Sequence, residues 1–307
     1  MKKSYDVVIV GGGPAGYAAA LYCTRAGFST LVLEMLGAGG QMATTTQVDN
    51  YPGFENGVGG YELAEKMQAG AARFGAETEY AEVSGLDLKA DPKVLHTGAG
   101  DVTAKAVVIA SGAAPRKLGI AHEEELTGRG VSYCATCDGM FYKDKVVVVA
   151  GGGDTAAADA LHLTKLCKKV YLVHRRDSLR AGRSYLEPLQ QAENLTFVWN
   201  STIDALLYGD KLTGIRVTDK VTGQQTGIDC DGLFVAVGRV PNTAFLEGQV
   251  ALDDHGYIVA DESTRTSLPG VFAAGDVRTK ALRQVVTAAA DGAVACHFIE
   301  EYLHTKA

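Results

Sequence analysis

The chain has 307 residues, 47% of them hydrophobic, which is enough for about two domains that each bury a core. Its formal net charge of −7 argues against a nucleic-acid or anionic-membrane surface, because such a surface needs an excess of basic residues. No apolar stretch approaches the length of a membrane span, so we expect a cytoplasmic protein that binds neither nucleic acid nor membrane.

The N-terminal segment has the pattern of a dinucleotide-binding βαβ unit. It predicts a buried strand over 6–10, a helix ending near residue 27 and a second strand over 30–34. The turn before the helix consists of Gly11, Gly12, Gly13, Pro14, Ala15 and Gly16. Such a turn lets backbone N–H groups approach a pyrophosphate, and Glu34 ends the second strand where a carboxylate accepts a ribose hydroxyl. The alternative is a glycine-rich turn that binds no ligand.

The segment between this unit and the next contains a polar loop and short elements. The loop over 39–53 is punctuated by glycine and is a candidate for ligand contact, although its composition also fits a plain loop. A helix is predicted over 61–74, short strands over 76–97 with turns at Gly85 and Asp91-Pro92, and a buried strand over 106–110. Pro115 marks a plausible domain boundary.

Cys134 and Cys137, with Asp138 directly after them, are the candidate redox centre. Positions three apart lie about one helical turn from each other, so the two sulfurs can close a small disulfide ring. In a reducing cytosol such a pair cycles between dithiol and disulfide, and Asp138 can handle the proton. The alternative is half of a zinc site, although no second Cys or His pair at ligand spacing is apparent. The other cysteines stand alone and are interpreted as small core residues: Cys23, Cys167, Cys230 and Cys296.

A second βαβ unit follows the cysteine pair. It predicts a strand over 145–150, a helix over 155–166 and a strand over 170–173, with a turn formed by Gly151, Gly152, Gly153, Asp154, Thr155 and Ala156. After the last strand, where the first unit has an acid, this unit has His174, Arg175, Arg176 and Arg180. Guanidinium groups bind a 2′-phosphate through charge-assisted hydrogen bonds, whereas a carboxylate repels it. The second site is therefore interpreted as an NADP(H) site, with a solvated basic face as the alternative.

The C-terminal half repeats parts of the same plan. Strands are predicted over 196–202 and 214–218 as a small crossing sheet, and over 233–237 as a buried strand that resembles the segment 107–112. A further strand over 271–274 precedes Gly275-Asp276 and a long helix over 283–302. The residues alone do not indicate which nucleotide site this tail completes.

The two nucleotide sites and the dithiol together predict an electron relay. Thiols accept a hydride poorly without an intermediary, and a flavin is the intermediary that such an arrangement requires. FAD, which carries no 2′-phosphate, fits the first site.

The chain resembles the bacterial-type, low-molecular-weight thioredoxin reductases from Tyr5 to the last predicted helix. The residues that carry the resemblance are Cys134-Ala135-Thr136-Cys137-Asp138-Gly139, His174-Arg175-Arg176 with Arg180-Ala181, and Gly275-Asp276-Val277. The resemblance implies an α/β fold of two Rossmann-like, three-layer domains. Residues 1–114 and 245–307 would form the FAD domain, and the inserted residues 115–244 would form the NADPH domain with the CxxC centre.

The resemblance also implies further site residues. Besides the first glycine turn and Glu34, the FAD site would include Gly40, Gln41, Thr45, Asn50, Val83, Ala110, Gly112, Gly275, Asp276, Arg283, Gln284 and Val285. Cys137 would face the flavin, Cys134 would attack thioredoxin, and Asp138 would act as general acid and base with a pKa raised by partial burial. The family is typically homodimeric, and one domain rotates against the other at hinges near Ala114 and Ala244.

One departure and three rival functions accompany this resemblance. Ala158 and Asp159 stand where relatives commonly carry two glutamates, which bears on cofactor handling near the nicotinamide. A flavoprotein dithiol oxidase and a ferredoxin-linked thioredoxin reductase generally lack an intact arginine cluster. A redox sensor that binds nucleotides without turnover is the third rival, and the complete CxxC-Asp centre weighs against it.

Overall fold

The computed structural model describes residues 3–45, 47–246 and 248–305. These residues divide into two compact units, and the second unit, Pro115–Arg239, is inserted between the two parts of the first. The helices are α1 (Pro14–Arg25), α2 (Gly60–Ala72), α3 (Ala135–Asp138), α4 (Asp154–Thr164), α5 (Arg183–Gln191) and α6 (Val285–His304). Among the described residues, no helix combines the length and apolar character needed to span a bilayer.

The strands are numbered in chain order. They are β1 (Ser4–Val10), β2 (Thr30–Glu34), β3 (Glu77–Tyr80), β4 (Val83–Asp87), β5 (Lys93–Thr97), β6 (Gly100–Ile109), β7 (Ala113–Pro115), β8 (Val131–Ser132), β9 (Val146–Ala150), β10 (Lys169–Val173), β11 (Leu195–Val198), β12 (Ser201–Tyr208), β13 (Leu212–Asp219), β14 (Gln225–Asp229), β15 (Gly232–Val235), β16 (Arg239–Pro241) and β17 (Val271–Ala273). The short strands β7 and β16 pair with each other in a separate two-stranded sheet.

The first unit is built on a sheet with the order β3-β2-β1-β6-β5-β4, in which β17 also pairs with β6. Strand β1 is parallel to both β2 and β6. Its residues alternate between two cores, because Val7 and Ile9 pack with the helices α1 and α6 while Val8 packs on the opposite face. This explains why the sequence of β1 is continuously aliphatic: both faces of the sheet are covered.

The second unit repeats this arrangement on a parallel sheet with the order β11-β10-β9-β15-β8. Val147 and Val149 of β9 pack against helix α4, whereas Val148 packs against the antiparallel sheet β12-β13-β14. Each unit therefore has an α/β architecture with a central sheet covered on both faces; this sheet is parallel in the second unit, and in the first unit β5 is antiparallel to both β4 and β6. The predicted fold class of two Rossmann-like, three-layer domains is confirmed.

The structure differs from the predicted elements at several points. Gly85 is not a turn but lies inside β4, where the pairing with β5 shifts register. The strand predicted over 196–202 is two strands, since Asn200 adopts a left-handed φ of 51° between β11 and β12. Asparagine tolerates this conformation better than most residues, so the chain can break between β11 in the parallel sheet and β12 in the antiparallel one. Helix α5 was not predicted; Pro188, a residue type that usually ends a helix, lies inside it.

Candidate redox and nucleotide-binding sites

Cys134 and Cys137 form a disulfide, with Cα atoms 5.3 Å apart. Strand β8 ends two residues before the pair, Cys134 precedes the single turn of α3, and Cys137 lies within that turn. The backbone N–H of Asp138 donates to the Cys134 carbonyl at 3.1 Å, which closes the turn around the disulfide. The local backbone therefore brings the two sulfurs together, as the redox interpretation requires.

Asp138 lies beside the disulfide in a half-buried position. Burial raises its pKa above the usual value for aspartate, and a hydrogen bond from Ser132 opposes this effect. The hydroxyl of Ser132 donates to Oδ2 of Asp138 at 2.6 Å. The predicted direction of the Asp138 pKa is confirmed, and a raised pKa suits a carboxyl group that exchanges protons near neutrality.

The four remaining cysteines are buried, as predicted. Two of them do not stand alone, however, because the thiols of Cys23 in α1 and Cys296 in α6 hydrogen-bond to each other. This contact raises the pKa of Cys23 and lowers that of Cys296. The sequence could not show this pair, because the two residues meet only when α6 packs on α1.

The first glycine turn leaves open space at the start of α1. Gly11 has a φ of +107°, and a Cβ there would lie 2.4 Å from the Ala110 carbonyl oxygen. A Cβ at Gly16 would lie 1.9 Å from the Gly11 carbonyl oxygen, whereas a Cβ at Gly13 would meet no atom within 4 Å. No side chain caps α1 at Gly13, and its first turn contains no acid. Backbone N–H groups at this helix start can therefore receive a pyrophosphate.

Glu34 and the polar loop lie against this turn. Oε2 of Glu34 accepts the Gly12 N–H at 2.6 Å, and the Gly39 N–H donates to the Gly12 carbonyl at 2.7 Å. The next residue, Gly40, lies near Gly13: a Cβ built on Gly40 would be 3.9 Å from the Gly13 Cα, an ordinary van der Waals distance. The loop residue Gly40 and the carboxylate of Glu34 therefore border the space at the start of α1.

The C-terminal tail also reaches this region of the first unit. A Cβ at Gly275 would lie 2.9 Å from the Cβ of Ala15, and the side chain of Asn50 donates to Gln284 at 3.1 Å. The tail therefore lies beside the first glycine turn and the polar loop, whereas the residues alone did not indicate which glycine turn it joins.

For the other residues predicted at this site, the hydrogen bonds lead to neighbouring backbone groups and not to the glycine turn itself. Gln41 donates to the Ala113 carbonyl, Arg283 donates to the Asp276 carbonyl at 3.3 Å, and Val285 packs with the core beneath the loop. The Thr45 carbonyl accepts the Gly60 N–H at the start of α2. The Gly112 carbonyl accepts the Asn242 N–H. Val83 is the first residue of β4, and the N–H of Ala81, two residues earlier, donates to the Glu34 carbonyl.

The second glycine turn resembles the first, except that the first turn of α4 contains an acid, Asp154. A Cβ at Gly151 would lie 2.4 Å from the Ala236 carbonyl oxygen, and a Cβ at Gly153 would meet no atom within 4 Å. No side chain caps α4 at Gly153. The Arg180 N–H donates to the Gly152 carbonyl at 2.7 Å, and the Gly182 N–H donates to Asp154 at the start of α4 at the same distance. These bonds hold the segment that carries Arg180 beside the turn, where Thr155 and Ala156 continue α4.

The arginine cluster, defined as Arg175, Arg176 and Arg180, is exposed. None of its three side chains has a hydrogen-bond or ion-pair partner among the residues that the structure describes. His174 is buried beneath it, against Gly152 and edge-on to Trp199, and its Nε2 also lacks a partner there. Burial and then the three arginines lower the pKa of His174. Exposed, unpaired guanidinium groups on the segment next to the second glycine turn suit a phosphate group.

Sequence reasoning missed several residues that hold these sites in place. Ser132 bonds to Asp138, and no motif distinguishes it from an ordinary serine. Arg278 is fully buried and binds both carboxylate oxygens of Asp291, which also accepts the Gly275 N–H at 2.8 Å. Asp159 was noted in the sequence, but its environment was not: burial raises its pKa to about 6, against the opposing charge of Arg239.

Comparison with known proteins supports the same interpretation. Residues 5–292 match the family described as pyridine nucleotide-disulphide oxidoreductase. A thioredoxin reductase of Listeria monocytogenes is 47% identical over 304 residues, covering 98% of this chain and 95% of the relative. One from Streptomyces clavuligerus is 48% identical over 306 residues, covering 99% and 95%. The crystal structure of thioredoxin reductase from Streptococcus pyogenes matches with a TM-score of 0.92 and 40% identity, covering 99% of this chain and 100% of that one. The chain therefore belongs to the pyridine nucleotide-disulphide oxidoreductase family and, within it, to the low-molecular-weight thioredoxin reductases.

Proposed function

We propose that the chain is an NADPH-dependent thioredoxin-disulfide reductase that uses FAD. Family membership makes it an oxidoreductase with a flavin and a pyridine nucleotide, and the relatives bear the name thioredoxin reductase. The observation that carries the finer proposal is a disulfide beside a half-buried carboxyl group, in the same unit as an unpaired arginine cluster. The dithiol supplies the electrons to the substrate, and the arginines select the donor.

The residues of the first unit fit FAD. The open start of α1 at Gly13 suits the pyrophosphate, and Glu34 lies where it can accept a ribose hydroxyl but would repel a 2′-phosphate. The loop around Gly40 and the turn at Gly275 border the same space. When bound there, FAD would accept a hydride equivalent from NADPH and supply two electrons to the Cys134–Cys137 disulfide.

The residues of the second unit fit NADPH. The pyrophosphate would lie at the start of α4 near Gly153, and the arginine cluster would bind the 2′-phosphate. NADH lacks that phosphate and would leave three guanidinium groups without a partner. We therefore propose a strong preference for NADPH.

The dithiol would reduce its substrate by thiol–disulfide exchange. The Cys134 thiolate attacks one sulfur of oxidised thioredoxin, forms a mixed disulfide and releases the other sulfur as a thiolate. Cys137 then attacks Cys134, re-forms their disulfide and releases reduced thioredoxin, so that two electrons have passed to the substrate. Asp138 takes the proton of the Cys134 thiol and returns it to the thioredoxin thiolate that leaves first, and the proton of Cys137 passes through solvent to the second thioredoxin thiolate.

The proposal extends to organisation and location. We assign residues 1–114 and 245–307 to the FAD domain and 115–244 to the NADPH domain. The dithiol must meet both a flavin and a protein substrate, so we propose rotation at hinges near Ala114 and Ala244. We further propose a cytoplasmic homodimer whose partner is thioredoxin or a thioredoxin-like protein.

The test of this function is NADPH consumption by the purified flavoprotein with and without thioredoxin, in air and under argon. We expect consumption that depends on thioredoxin, continues under argon and is much slower with NADH. Consumption confined to air would indicate a dithiol oxidase, and a flavin that neither nucleotide reduces would indicate a ferredoxin-linked enzyme. Nucleotide binding without any turnover would indicate a sensor.

Two exposed apolar side chains directly after the redox centre predict where thioredoxin docks. Met140 is 60% and Phe141 47% exposed in the single turn that follows Asp138. Burial of an apolar side chain contributes about 1.5–3 kcal/mol, so replacing both by serine should lower kcat/KM for thioredoxin by about tenfold or more. The rate of flavin reduction by NADPH should stay unchanged. Val221→Ser, at a 77% exposed position in the same unit, is the matched control; an equal loss in that variant would contradict the prediction.

A further inference from the structure

Ser132 connects the two functional parts of the redox centre. It ends β8, is only 5% exposed, and accepts the Cys134 N–H on its Oγ at 3.1 Å. Its hydroxyl proton has two acceptors within reach, Oδ2 of Asp138 at 2.6 Å and the Cys134 carbonyl at 3.4 Å. The shorter bond leads to a carboxylate, which is the stronger acceptor. One hydroxyl group therefore joins the backbone of Cys134 to the side chain of Asp138.

This bond distinguishes the two oxygens of the Asp138 carboxyl group. Oδ2 is occupied by the Ser132 hydroxyl, whereas no donor reaches Oδ1 within the described ranges of the chain. A carboxylic acid holds its proton on the oxygen that does not accept a strong hydrogen bond, because that bond stabilises negative charge on its acceptor. Oδ1 is therefore the oxygen that can take up and release a proton.

The other groups around Asp138 bring no opposing charge near neutral pH. Tyr142 follows in the next turn, and burial raises its pKa to about 12, so it stays neutral. From α4, His162 lies beside Gly139, where a Cβ would be 3.4 Å from its Nε2, and burial lowers its pKa. Cys134 and Cys137 carry no charge as a disulfide. Ser132 is thus the polar group that acts most directly on Asp138.

We propose that Ser132 is a positioning residue for proton transfer at Asp138, holding Oδ2 so that Oδ1 exchanges the proton with the dithiol. The inference rests on the proposed function of the redox centre. In the step concerned, the Cys134 S–H bond breaks, its proton passes to Oδ1, and the thiolate attacks the disulfide of thioredoxin. The Ser132 hydroxyl favours the ionised carboxyl group that accepts this proton, and it counteracts the effect of burial.

The test replaces Ser132 and follows Asp138 in two ways. The first measurement is the pH profile of the reaction between the reduced enzyme and oxidised thioredoxin. The second is an infrared titration of the Asp138 carboxyl group in the oxidised holoenzyme, assigned by its loss in Asp138→Asn. In Ser132→Ala we expect the titration and the rising limb of the rate profile to move to higher pH by about one unit, because a hydrogen bond to a charged group is lost. On that limb the rate at fixed pH should fall about tenfold.

Further variants separate this role from general stability. Ser132→Thr keeps the hydroxyl, so its Asp138 carboxyl group should titrate as in the wild type. Valine has nearly the same shape as threonine but no hydroxyl, so Ser132→Val should behave like Ser132→Ala. This pair decides the question even if the alanine variant folds poorly. Ser201→Ala is the matched control, because Ser201 is also 5% exposed and its hydroxyl donates to the Trp199 carbonyl at 2.7 Å. Ser201 follows β11, which lies at the opposite edge of the five-stranded sheet from β8, the strand that Ser132 ends.

The outcomes distinguish this inference from the proposed function. An unchanged Asp138 titration in Ser132→Val, or equal shifts in the threonine and valine variants, would overturn the role of Ser132. A wild-type enzyme that fails to react with thioredoxin would instead overturn the proposed function, and the infrared titration would still show whether Ser132 controls the Asp138 carboxyl group.

Discussion

Replacing Cys134 by serine is expected to abolish thioredoxin reduction while NADPH still reduces the flavin. The variant lacks the thiol that we propose attacks the substrate, so thioredoxin-dependent turnover should fall by about a thousandfold or more. The proposed NADPH site, at the second glycine turn and the arginine cluster, is not altered by this substitution. Rapid-mixing absorbance of the flavin band measures the first half-reaction, and a coupled assay of reduced thioredoxin measures the second.

The control for this variant is Cys167→Ala in the same unit. Cys167 is buried in the core around α4 and takes no part in the disulfide, so both half-reactions should proceed at nearly the wild-type rate. The same substitution at the second cysteine, Cys137→Ser, should also stop turnover, because the disulfide cannot re-form. Retained thioredoxin reduction in Cys134→Ser would assign the attack on the substrate to Cys137.

Neutralising the arginine cluster is expected to remove the preference for NADPH over NADH. A hydrogen bond to a charged group contributes about 1.5–3 kcal/mol, and each loss of about 1.4 kcal/mol weakens binding tenfold. Arg175→Gln combined with Arg176→Gln should therefore raise the KM and the Kd for NADPH by about a hundredfold or more. The values for NADH should change little, because NADH has no 2′-phosphate. Calorimetric titration with each nucleotide measures binding independently of turnover.

An arginine-to-glutamine change elsewhere in the unit tests the specificity of this effect, with one positive charge removed instead of two. Arg216 is exposed on β13 in the same unit, and Arg216→Gln removes one positive charge without altering the cluster. It should leave both nucleotides unaffected apart from a small effect of net charge. Equal weakening of NADPH and NADH in the cluster variant would show that the arginines stabilise the unit and do not bind the 2′-phosphate.

Most of the fold was predictable because its signals are local. An aliphatic run, a glycine turn and a helix in succession predicted both βαβ units, and the cores on both faces of β1 and β9 explain why these runs show no alternation. Prediction failed where a local signal was ambiguous. Pro188 usually ends a helix but lies inside α5, and the residues around Asn200 resemble one continuous strand although they belong to two sheets.

The sequence by itself determined the chemistry of the candidate sites: a disulfide-forming pair next to a carboxylate, two glycine turns, and an acid in one unit where the other has arginines. These features depend on residues close together in the chain, whose geometry follows from the covalent backbone and from secondary structure. Only the tertiary structure decided which distant residues meet. It placed the turn at Gly275 against Ala15 and Gln284 beside Asn50, because α6 packs on α1 in one particular register. The hydrogen bond from Ser132 to Asp138 joins residues six positions apart, but the burial that raises the carboxyl pKa comes from packing.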